Sequence, residues 1–319
     1  MKAAVVSSFD AAPRFEEFAV PVPAGEHEQV VTVLAAGLHP RVRSQADGSH
    51  YTSTDELPLV PGIDGVGRGP DGQLRYFILP DTTMGAMAEQ TVIDIRRSIV
   101  LPEGSDPVAV AAAMNPAMSS WVALRRRVEF PAGQNVLVLG ATGNAGQMAV
   151  QIAKLFGARQ IIAAGRHPER LAALPALGAT DTVLLDGDAD AVADRLGQTT
   201  TEVDVVIDYL WGRPAMAAMV AVVTGRADRG RPLTWIQIGS VAGATAEIPS
   251  AALRAARLQI VGSGQGSVGT REILAELPAL AQEITNGTFA VNTRVVPLSD
   301  VENAWAEAAY STERLVVCP

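Results

Sequence analysis

Two patterns of hydrophobic and polar residues divide the chain near residue 113. Before that point the apolar runs are short, and turn residues such as those of Pro61–Gly65 interrupt them. Short apolar runs bounded by turns are typical of strands in a partly antiparallel sheet. The pattern therefore predicts a β-rich region with strands at Lys2–Val6, Gln29–Ala35, Arg75–Leu79 and Ala88–Ile93.

From Met114 onward, helical and strand-like segments alternate. A helix is predicted near Ser119–Arg127, and a strand, turn and helix follow in Val136–Val150. Alternation of this kind gives an α/β fold with a doubly wound parallel sheet. The further strands are predicted at Gln160–Arg166, Thr182–Leu185, Val203–Tyr209, Thr234–Ile238 and Gln259–Gly262.

The tail, from about Ser267, has its own pattern. It predicts helices at Thr270–Asn286 and Val301–Tyr310, with a closing strand at Arg314–Cys318. With 319 residues, the chain is long for a single hydrophobic core, so two domains are the default expectation.

The glycine-rich turn in Val136–Val150 predicts a dinucleotide site. Gly143 is expected to adopt the dihedral angles of the turn, and Gly146 lets the helix approach the strand. The backbone amides of Thr142 to Ala145 are expected to be free to face a pyrophosphate, assisted by the positive end of the helix. Ala141 replaces the first glycine of the commonest fingerprint. The candidate residues are Ala141, Thr142, Gly143, Asn144, Ala145 and Gly146.

The end of the second strand predicts which dinucleotide binds. NAD-binding units place a carboxylate there for the ribose 2′-hydroxyl, whereas this chain has Gly165 and Arg166, with Arg170 one turn later. A guanidinium binds a 2′-phosphate that a carboxylate would repel. The cofactor predicted is NADPH. The alternative is that Arg166 is a solvated loop residue.

Composition narrows the functional classes. The net charge of −9 gives no basic surface for nucleic acid. The single cysteine, Cys318, excludes an internal disulfide and a cysteine cage for a structural metal. We find no eighteen-residue apolar span and no signal-peptide core, so we expect a cytoplasmic protein without membrane partners.

A series of short motifs, taken in order, resembles the medium-chain dehydrogenase/reductase superfamily and its zinc-independent quinone oxidoreductase branch. No single motif is decisive, but their order and spacing cover nearly the whole chain. Besides the glycine-rich turn they are Lys2–Val6, Ala36–Arg43, Pro61–Gly67, Gly85–Glu89, Val203–Asp208, Ile236–Ser240 and Val296–Val301.

This resemblance implies a domain organisation. A GroES-like catalytic domain would span residues 1–113 and be completed by residues 267–319, and a Rossmann NADPH-binding domain would span residues 114–266. It also implies an active site in the cleft between the domains and, commonly, a homodimer.

Zinc-dependent relatives hold a catalytic metal with two Cys and one His. Leu38 stands near the place of the first ligand, and Ile63–Asp64 stand where a His-Glu pair would be. No metal is therefore expected.

The resemblance also implies site residues. Where quinone reductases have Asn-Pro and then a tyrosine, this chain has His39-Pro40 and Ser44, with Tyr51 downstream. His39 would hydrogen-bond or protonate a carbonyl oxygen; the alternative is a loop histidine that caps backbone groups. Tyr51 would replace the missing phenol, or pack at a domain seam. The residues expected near the nicotinamide are Asn115, Ser119, Gly239, Ser240, Ser263 and Gly264.

The expected chemistry follows from the missing metal. Without a Lewis acid, hydride goes most readily to a quinone or an α,β-unsaturated carbonyl, because conjugation spreads the added negative charge. We therefore expect an NADPH-dependent reductase acting on such small molecules. The alternative is an NADPH-binding redox sensor or scaffold with little catalytic activity.

Overall fold

The computed structural model describes residues 1–319 and contains two structural units. Unit 1 comprises Met1–Asn115 and Leu274–Pro319, and unit 2 comprises Pro116–Ile273. The sequence-based boundaries were placed at residues 113/114 and 266/267. The tail segment that joins unit 1 therefore begins later than the sequence pattern suggests.

The chain forms fifteen strands and ten α-helices. The strands are β1 (Lys2–Val5), β2 (Arg14–Glu17), β3 (Glu28–Gly37), β4 (Asp64–Arg68), β5 (Leu74–Ile78), β6 (Gln90–Asp94), β7 (Ser98–Val100), β8 (Asn135–Leu139), β9 (Gln160–Gly165), β10 (Asp181–Leu184), β11 (Val205–Asp208), β12 (Leu233–Gln237), β13 (Leu258–Gly262), β14 (Thr293–Pro297) and β15 (Arg314–Cys318). The helices are α1 (Pro40–Ala46), α2 (Pro107–Val122), α3 (Asn144–Leu155), α4 (Pro168–Ala172), α5 (Leu174–Leu177), α6 (Ala189–Thr199), α7 (Gly212–Gly225), α8 (Ser250–Ala255), α9 (Thr270–Thr285) and α10 (Val301–Glu307).

Unit 1 is built on a mixed sheet of seven strands in the order β14-β15-β3-β4-β5-β7, with β6 also paired to β3. The closing strand β15 joins this sheet by antiparallel pairing with the end of β3, where Val316 lies opposite Gly37. The tail therefore supplies strands to the first unit. The buried core of the unit includes Leu59, Phe77 and Met87.

Unit 2 contains a six-stranded parallel sheet in the order β10-β9-β8-β11-β12-β13. From β8 the chain winds outward through β9 to β10, and from β11 it winds the other way through β12 to β13. Strands β8 and β11 are thus the neighbours at which the winding direction reverses. In open α/β sheets, ligands bind in the crevice beyond the carboxyl ends of such a pair.

Two differences from the sequence patterns have clear physical causes. The helix predicted at Ser119–Arg127 begins earlier, at Pro107, as α2. Residues Ala123–Arg127 continue it as a short π-helix. Helix α2 is apolar and largely buried, so it lacks the one-sided stripe that marks a surface helix. The turn predicted at Pro61–Gly65 instead leads into β4, where a Cβ on Gly67 would lie 2.8 Å from the carbonyl oxygen of Thr32. Glycine is needed there for close strand packing.

One helical span qualifies by length and composition to cross a membrane. It is Pro107–Arg127, of which the most apolar window is 67% buried. The expectation that no eighteen-residue apolar span exists was therefore wrong. A mostly buried core helix passes the same test.

Candidate functional site

The glycine-rich turn joins β8 to α3 at the point where the winding of the parallel sheet reverses. Gly140 follows the last residue of β8 and has φ of +83°, whereas Gly143 is the N-cap of α3 with φ of −82°. The left-handed residue of the turn is therefore Gly140, and Gly143 has an extended conformation that any residue can adopt. A Cβ at Gly140 would also crowd the side chain of Leu210 at 3.1 Å.

The two later glycines of the turn have different roles. A Cβ on Gly146 would lie 2.3 Å from the carbonyl oxygen of Gly140 and 2.6 Å from the Cα of Ala141, so Gly146 allows the helix to touch the strand. A Cβ on Gly143 would meet only the carbonyl oxygen of Gly140, at 3.6 Å. The space in front of Gly143 is open, as it must be for a pyrophosphate to approach the backbone.

The amides of the turn are only partly available. The first intrahelical bond runs from the Gln147 amide to the Gly143 carbonyl at 2.9 Å. The amides of Asn144, Ala145 and Gly146 therefore have no carbonyl one turn earlier, and they lie at the positive end of α3. The Gly143 amide donates to the Gly140 carbonyl at 3.2 Å, which removes it from the set predicted to be free.

Ala141 and Thr142 connect the turn to strand β9. The Ala141 amide donates to the Ala164 carbonyl at 3.0 Å. Thr142 is buried, and a Cβ on Gly165 would lie 2.7 Å from its Cγ2. Thr142 and Gly165 thus pack β9 against the turn.

The residues predicted to select the cofactor lie just beyond β9. Arg166 is exposed, and Arg170 is half-buried on α4. Neither side chain forms an ion pair within the protein. Both guanidinium groups are therefore available to an anion at the carboxyl end of β9.

Asp208 anchors the loop on the other side of the turn, at the end of β11. Its carboxylate is fully buried and accepts from the Leu210 amide at 2.8 Å, the Trp211 amide at 3.0 Å and the Trp235 indole at 3.0 Å. Burial raises the pKa of Asp208, and these donors oppose that rise. Trp211 is held at φ of +52°, the one positive value at a non-glycine residue. Strain of this kind marks a position that its surroundings impose.

Tyr209 lies between Asp208 and Trp211 in the chain, and the sequence reasoning missed it as a site residue. Its hydroxyl lies 2.9 Å from the hydroxyl of Ser119 on α2. Tyr209 is 7% exposed, and burial raises its pKa to about 12. The available signal was its position, one residue beyond the strand that neighbours the fingerprint strand.

The remaining nicotinamide-side candidates lie on the loops that follow β12 and β13. A Cβ on Gly239 would lie 2.7 Å from the carbonyl oxygen of Tyr209, which places the first loop against the Tyr209 backbone. Ser240 and Gly264 are exposed, and Ser263 is buried with its amide donating to the Gln237 carbonyl at 2.9 Å. These loops lie beyond the carboxyl ends of their strands.

In unit 1, His39 does not cap backbone groups, contrary to the alternative interpretation. It is the N-cap residue of α1 but makes no side-chain cap bond. Its Nε2 lies 2.9 Å from Asp64, which also accepts from the Tyr76 hydroxyl at 2.7 Å. His39 is 3% exposed, and burial lowers its pKa, with the Asp64 hydrogen bond opposing the shift. This favours a neutral imidazole inside the protein.

The other two predicted catalytic side chains lie outside this buried group. The Ser44 hydroxyl donates to the Arg41 carbonyl at 3.0 Å. Tyr51 is 76% exposed, and its ring lies 4.3 Å from that of His50. Asn115, the last residue of the first segment of unit 1, is half-buried on α2. The catalytic and nicotinamide roles of these residues remain predictions.

The side chains present do not fit a catalytic metal. No group of three or more His, Cys, Asp or Glu residues is arranged to hold an ion. Leu38 is buried, and the adjoining His39 nitrogen is engaged with Asp64. Apolar groups and a hydrogen-bonded pair thus occupy the positions compared above with zinc ligands.

Comparison with known proteins agrees with this geometry. A family profile described as "Zinc-binding dehydrogenase" matches residues 145–283. The probable NADPH-dependent quinone reductase tdiC of Emericella nidulans is 30% identical over 362 aligned positions, which cover 100% of both chains.

Two solved structures share the fold. A mycobacterial quinone oxidoreductase has a TM-score of 0.84 at 20% identity, and the quinone oxidoreductase of Thermus thermophilus, solved also with NADPH, has a TM-score of 0.78 at 23% identity. Each match covers 100% of both chains, which confirms the expected GroES-like and Rossmann architecture. Since the similarity to the Emericella protein extends over both whole chains, this chain belongs to the medium-chain dehydrogenase/reductase superfamily, in its quinone reductase-like branch.

Proposed function

We propose that this protein is an NADPH-dependent oxidoreductase that transfers hydride to a quinone or an α,β-unsaturated carbonyl without a metal. The open space in front of Gly143, at the start of α3 and at the reversal point of the sheet, carries the proposal. A Cβ at this position would fill the space that a pyrophosphate needs. The named activity of the Emericella relative supports the same assignment.

The choice of NADPH rests on the residues that would hold it. The amides of Asn144, Ala145 and Gly146 would bind the pyrophosphate at the helix N-terminus. Arg166 would bind the 2′-phosphate, because its side chain is exposed, has no ion-pair partner, and stands where a carboxylate would select NAD. When bound, the cofactor supplies hydride.

Metal independence rests on the donor set. A zinc ion needs three protein ligands in a catalytic site, and no such group is present. A simple alcohol or isolated ketone is therefore a poor substrate, because nothing in the chain polarises its oxygen as a Lewis acid would. Conjugated acceptors need less help, since the added charge is delocalised.

The experiment is NADPH oxidation with a panel of quinones and enones, followed at the nicotinamide absorbance. We expect turnover with at least one conjugated acceptor and full retention of that turnover after dialysis against a chelator. Elemental analysis of the purified protein should give far less than one zinc per chain.

Two results would redirect the assignment. Efficient oxidation of a secondary alcohol, or activity that the chelator removes, would contradict a metal-free reductase. Tight NADPH binding without turnover on any acceptor would favour the redox sensor or scaffold instead.

A further inference from the structure

Two hydroxyl groups meet in the crevice beyond the carboxyl ends of β8 and β11. The Tyr209 hydroxyl lies 2.9 Å from the Ser119 hydroxyl, which donates to the Pro116 carbonyl at 2.9 Å. Ser119 is half-buried, whereas Tyr209 is 7% exposed. The serine is therefore the more exposed member of the pair.

The backbone around this pair is unusually constrained. The carboxylate of Asp208 holds the amides that follow Tyr209, and the Tyr209 carbonyl accepts from the Val241 amide at 3.3 Å. The neighbouring Trp211 is held at positive φ. Hydrogen bonds on both sides thus fix the backbone that carries Tyr209, and the Ser119 hydroxyl contacts its phenol, as a preorganised donor requires.

We propose that Ser119 and Tyr209 form the proton-delivering pair of the reductase, with Ser119 contacting the reacting oxygen and Tyr209 positioning and resupplying it. This inference rests on the proposed function. The pair lies on the β11 side of the glycine-rich turn, opposite Arg166. A dinucleotide that places its adenosine end at β9 extends its other end toward β11.

Reduction of the acceptor requires one hydride and one proton. Hydride from NADPH brings two electrons and one proton nucleus to the conjugated acceptor, and negative charge develops on the acceptor's carbonyl oxygen. The Ser119 hydroxyl turns from the Pro116 carbonyl to that oxygen, and its O–H bond breaks as a new O–H bond forms there. The Tyr209 proton passes to the serine oxygen, and water returns a proton to the phenolate. In total, the acceptor, NADPH and one proton give the reduced acceptor and NADP⁺.

The protonation state of the phenol agrees with this role. Burial raises the pKa of Tyr209 to about 12, while hydrogen bonds with Ser119 and Ser120 oppose the shift. Tyr209 therefore keeps its proton throughout the neutral range. The pair offers a hydrogen-bond donor, rather than a negative charge that would repel the developing oxyanion.

The side chains first predicted to donate the proton are less suited to the task. His39 is 3% exposed and bound to Asp64, and Ser44 lies on α1 in unit 1, whereas the crevice beyond β8 and β11 belongs to unit 2. Tyr51 is 76% exposed, so solvent surrounds most of its ring.

The test compares Ser119→Ala, Tyr209→Phe and the double variant. Each single change should lower kcat with a conjugated acceptor by about a hundredfold, the usual contribution of a general acid. The double variant should be no slower than the slower single variant, because the two hydroxyls act as one unit. NADPH affinity should fall far less than kcat, since neither hydroxyl binds phosphate.

The chain offers a matched control in unit 1. The Ser105 hydroxyl donates to the Pro102 carbonyl at 2.7 Å and lies 2.8 Å from the Thr285 hydroxyl. Ser105→Ala therefore removes the same kind of serine, bonded to a proline carbonyl and a second hydroxyl, away from the crevice. It should leave kcat unchanged. Ser119→Thr keeps the hydroxyl and should restore most of the activity lost in Ser119→Ala.

A binding measurement separates this inference from the proposed function. The 4-nitrophenolate ion carries its charge on one oxygen, as the reduced acceptor does before protonation. Its absorbance reports binding to the protein loaded with NADP⁺, without turnover. Tyr209→Phe and Ser119→Ala should each weaken this binding by about tenfold or more, as expected for loss of a hydrogen bond to a charged oxygen.

The outcomes are distinct. If the wild type reduces a quinone or enone while both single variants keep its kcat and its 4-nitrophenolate affinity, the pair has no such role and the proposed function stands. If the wild type reduces no acceptor, the proposed function fails, and weaker 4-nitrophenolate binding in the variants still supports an oxyanion-binding pair. Strictly additive losses in the double variant would overturn action as one unit.

Discussion

At the scale of single residues, two buried carboxylates organise their surroundings in the same way. Asp208 accepts three N–H groups, and Asp64 is bonded to His39 and Tyr76. A buried carboxylate is stable only when its oxygens have donors. The donors to Asp64 come from other elements of the fold, so sequence reasoning identified His39 as a candidate but not the carboxylate that fixes it.

Arg166 is the residue predicted to select NADPH, and its side chain is available in the structure. Its side chain is exposed and has no ion-pair partner, so a 2′-phosphate would meet no competing carboxylate. A well-formed charged pair contributes roughly 1.5 to 3 kcal/mol, and less when exposed to solvent. Arg166→Ala should therefore reduce the preference for NADPH over NADH by about tenfold, measured as the ratio of the two dissociation constants.

The control for Arg166 is another exposed arginine on the same unit. Arg229 lies in the loop before β12, at the amino end of that strand. Arg229→Ala removes the same charge away from the carboxyl-end crevice and should leave the ratio unchanged. An Arg166→Ala protein that keeps its full preference would show that other groups select the cofactor.

At the scale of elements, the central strands of the parallel sheet were predictable because they are buried on both faces. All five residues of β8 are buried, as are five of the six in β9, and continuous apolar runs of that kind stand out in a sequence. The elements of unit 1 were harder. Strand β2 has one half-buried and three exposed residues, so no hydrophobic pattern marks it. Strand β4 is rich in glycine, a composition that is typical of turns. Only the structure shows that these glycines allow close packing against neighbouring strands.

The glycine-rich turn gives the second prediction at this scale, because two of its glycines have separable roles. Gly146→Ala would force a Cβ within 2.3 Å of the Gly140 carbonyl oxygen, so α3 must move away from β8. We expect a destabilisation of about 1 to 3 kcal/mol, seen as a lower midpoint in denaturant. Loss of NADPH binding should accompany it.

Gly143→Ala is the matched variant. The glycine has an ordinary φ of −82°, and its added Cβ would meet only one atom, at 3.6 Å. The protein should fold with nearly unchanged stability, while the methyl group occupies the space required by the pyrophosphate. We expect NADPH affinity to fall by about tenfold or more, measured by nicotinamide fluorescence. Equal affinity in the Gly143→Ala protein would place the pyrophosphate elsewhere.

At the scale of the whole molecule, the open edge of the parallel sheet is the feature that the sequence alone could not assess. Strand β13 has a neighbouring strand on one side only. One of its outward groups, the Gly262 carbonyl, accepts from the Arg127 guanidinium at 2.7 Å. An edge strand with unpaired backbone groups is a ready surface for a second copy of the same strand. Two copies related by a two-fold axis would form one closed interface.

The last prediction is therefore a homodimer formed through β13. Sedimentation of the wild type should give a molecular mass twice the chain mass of 33.3 kDa. Val261→Lys places a charge on the half-buried edge strand of each copy, and burying that charge without a partner is costly. It should raise the dissociation constant of the dimer by about tenfold or more, seen as a monomer in dilute samples.

A second edge strand supplies the control for this variant. Val295 lies on β14, at the edge of the sheet in unit 1, and is 52% exposed. Val295→Lys therefore makes the same chemical change at an edge that the proposed dimer does not use, and it should leave the sedimentation unchanged. Retained NADPH binding would show that each variant is folded. A monomeric wild type, or equal dissociation in both variants, would contradict pairing through β13.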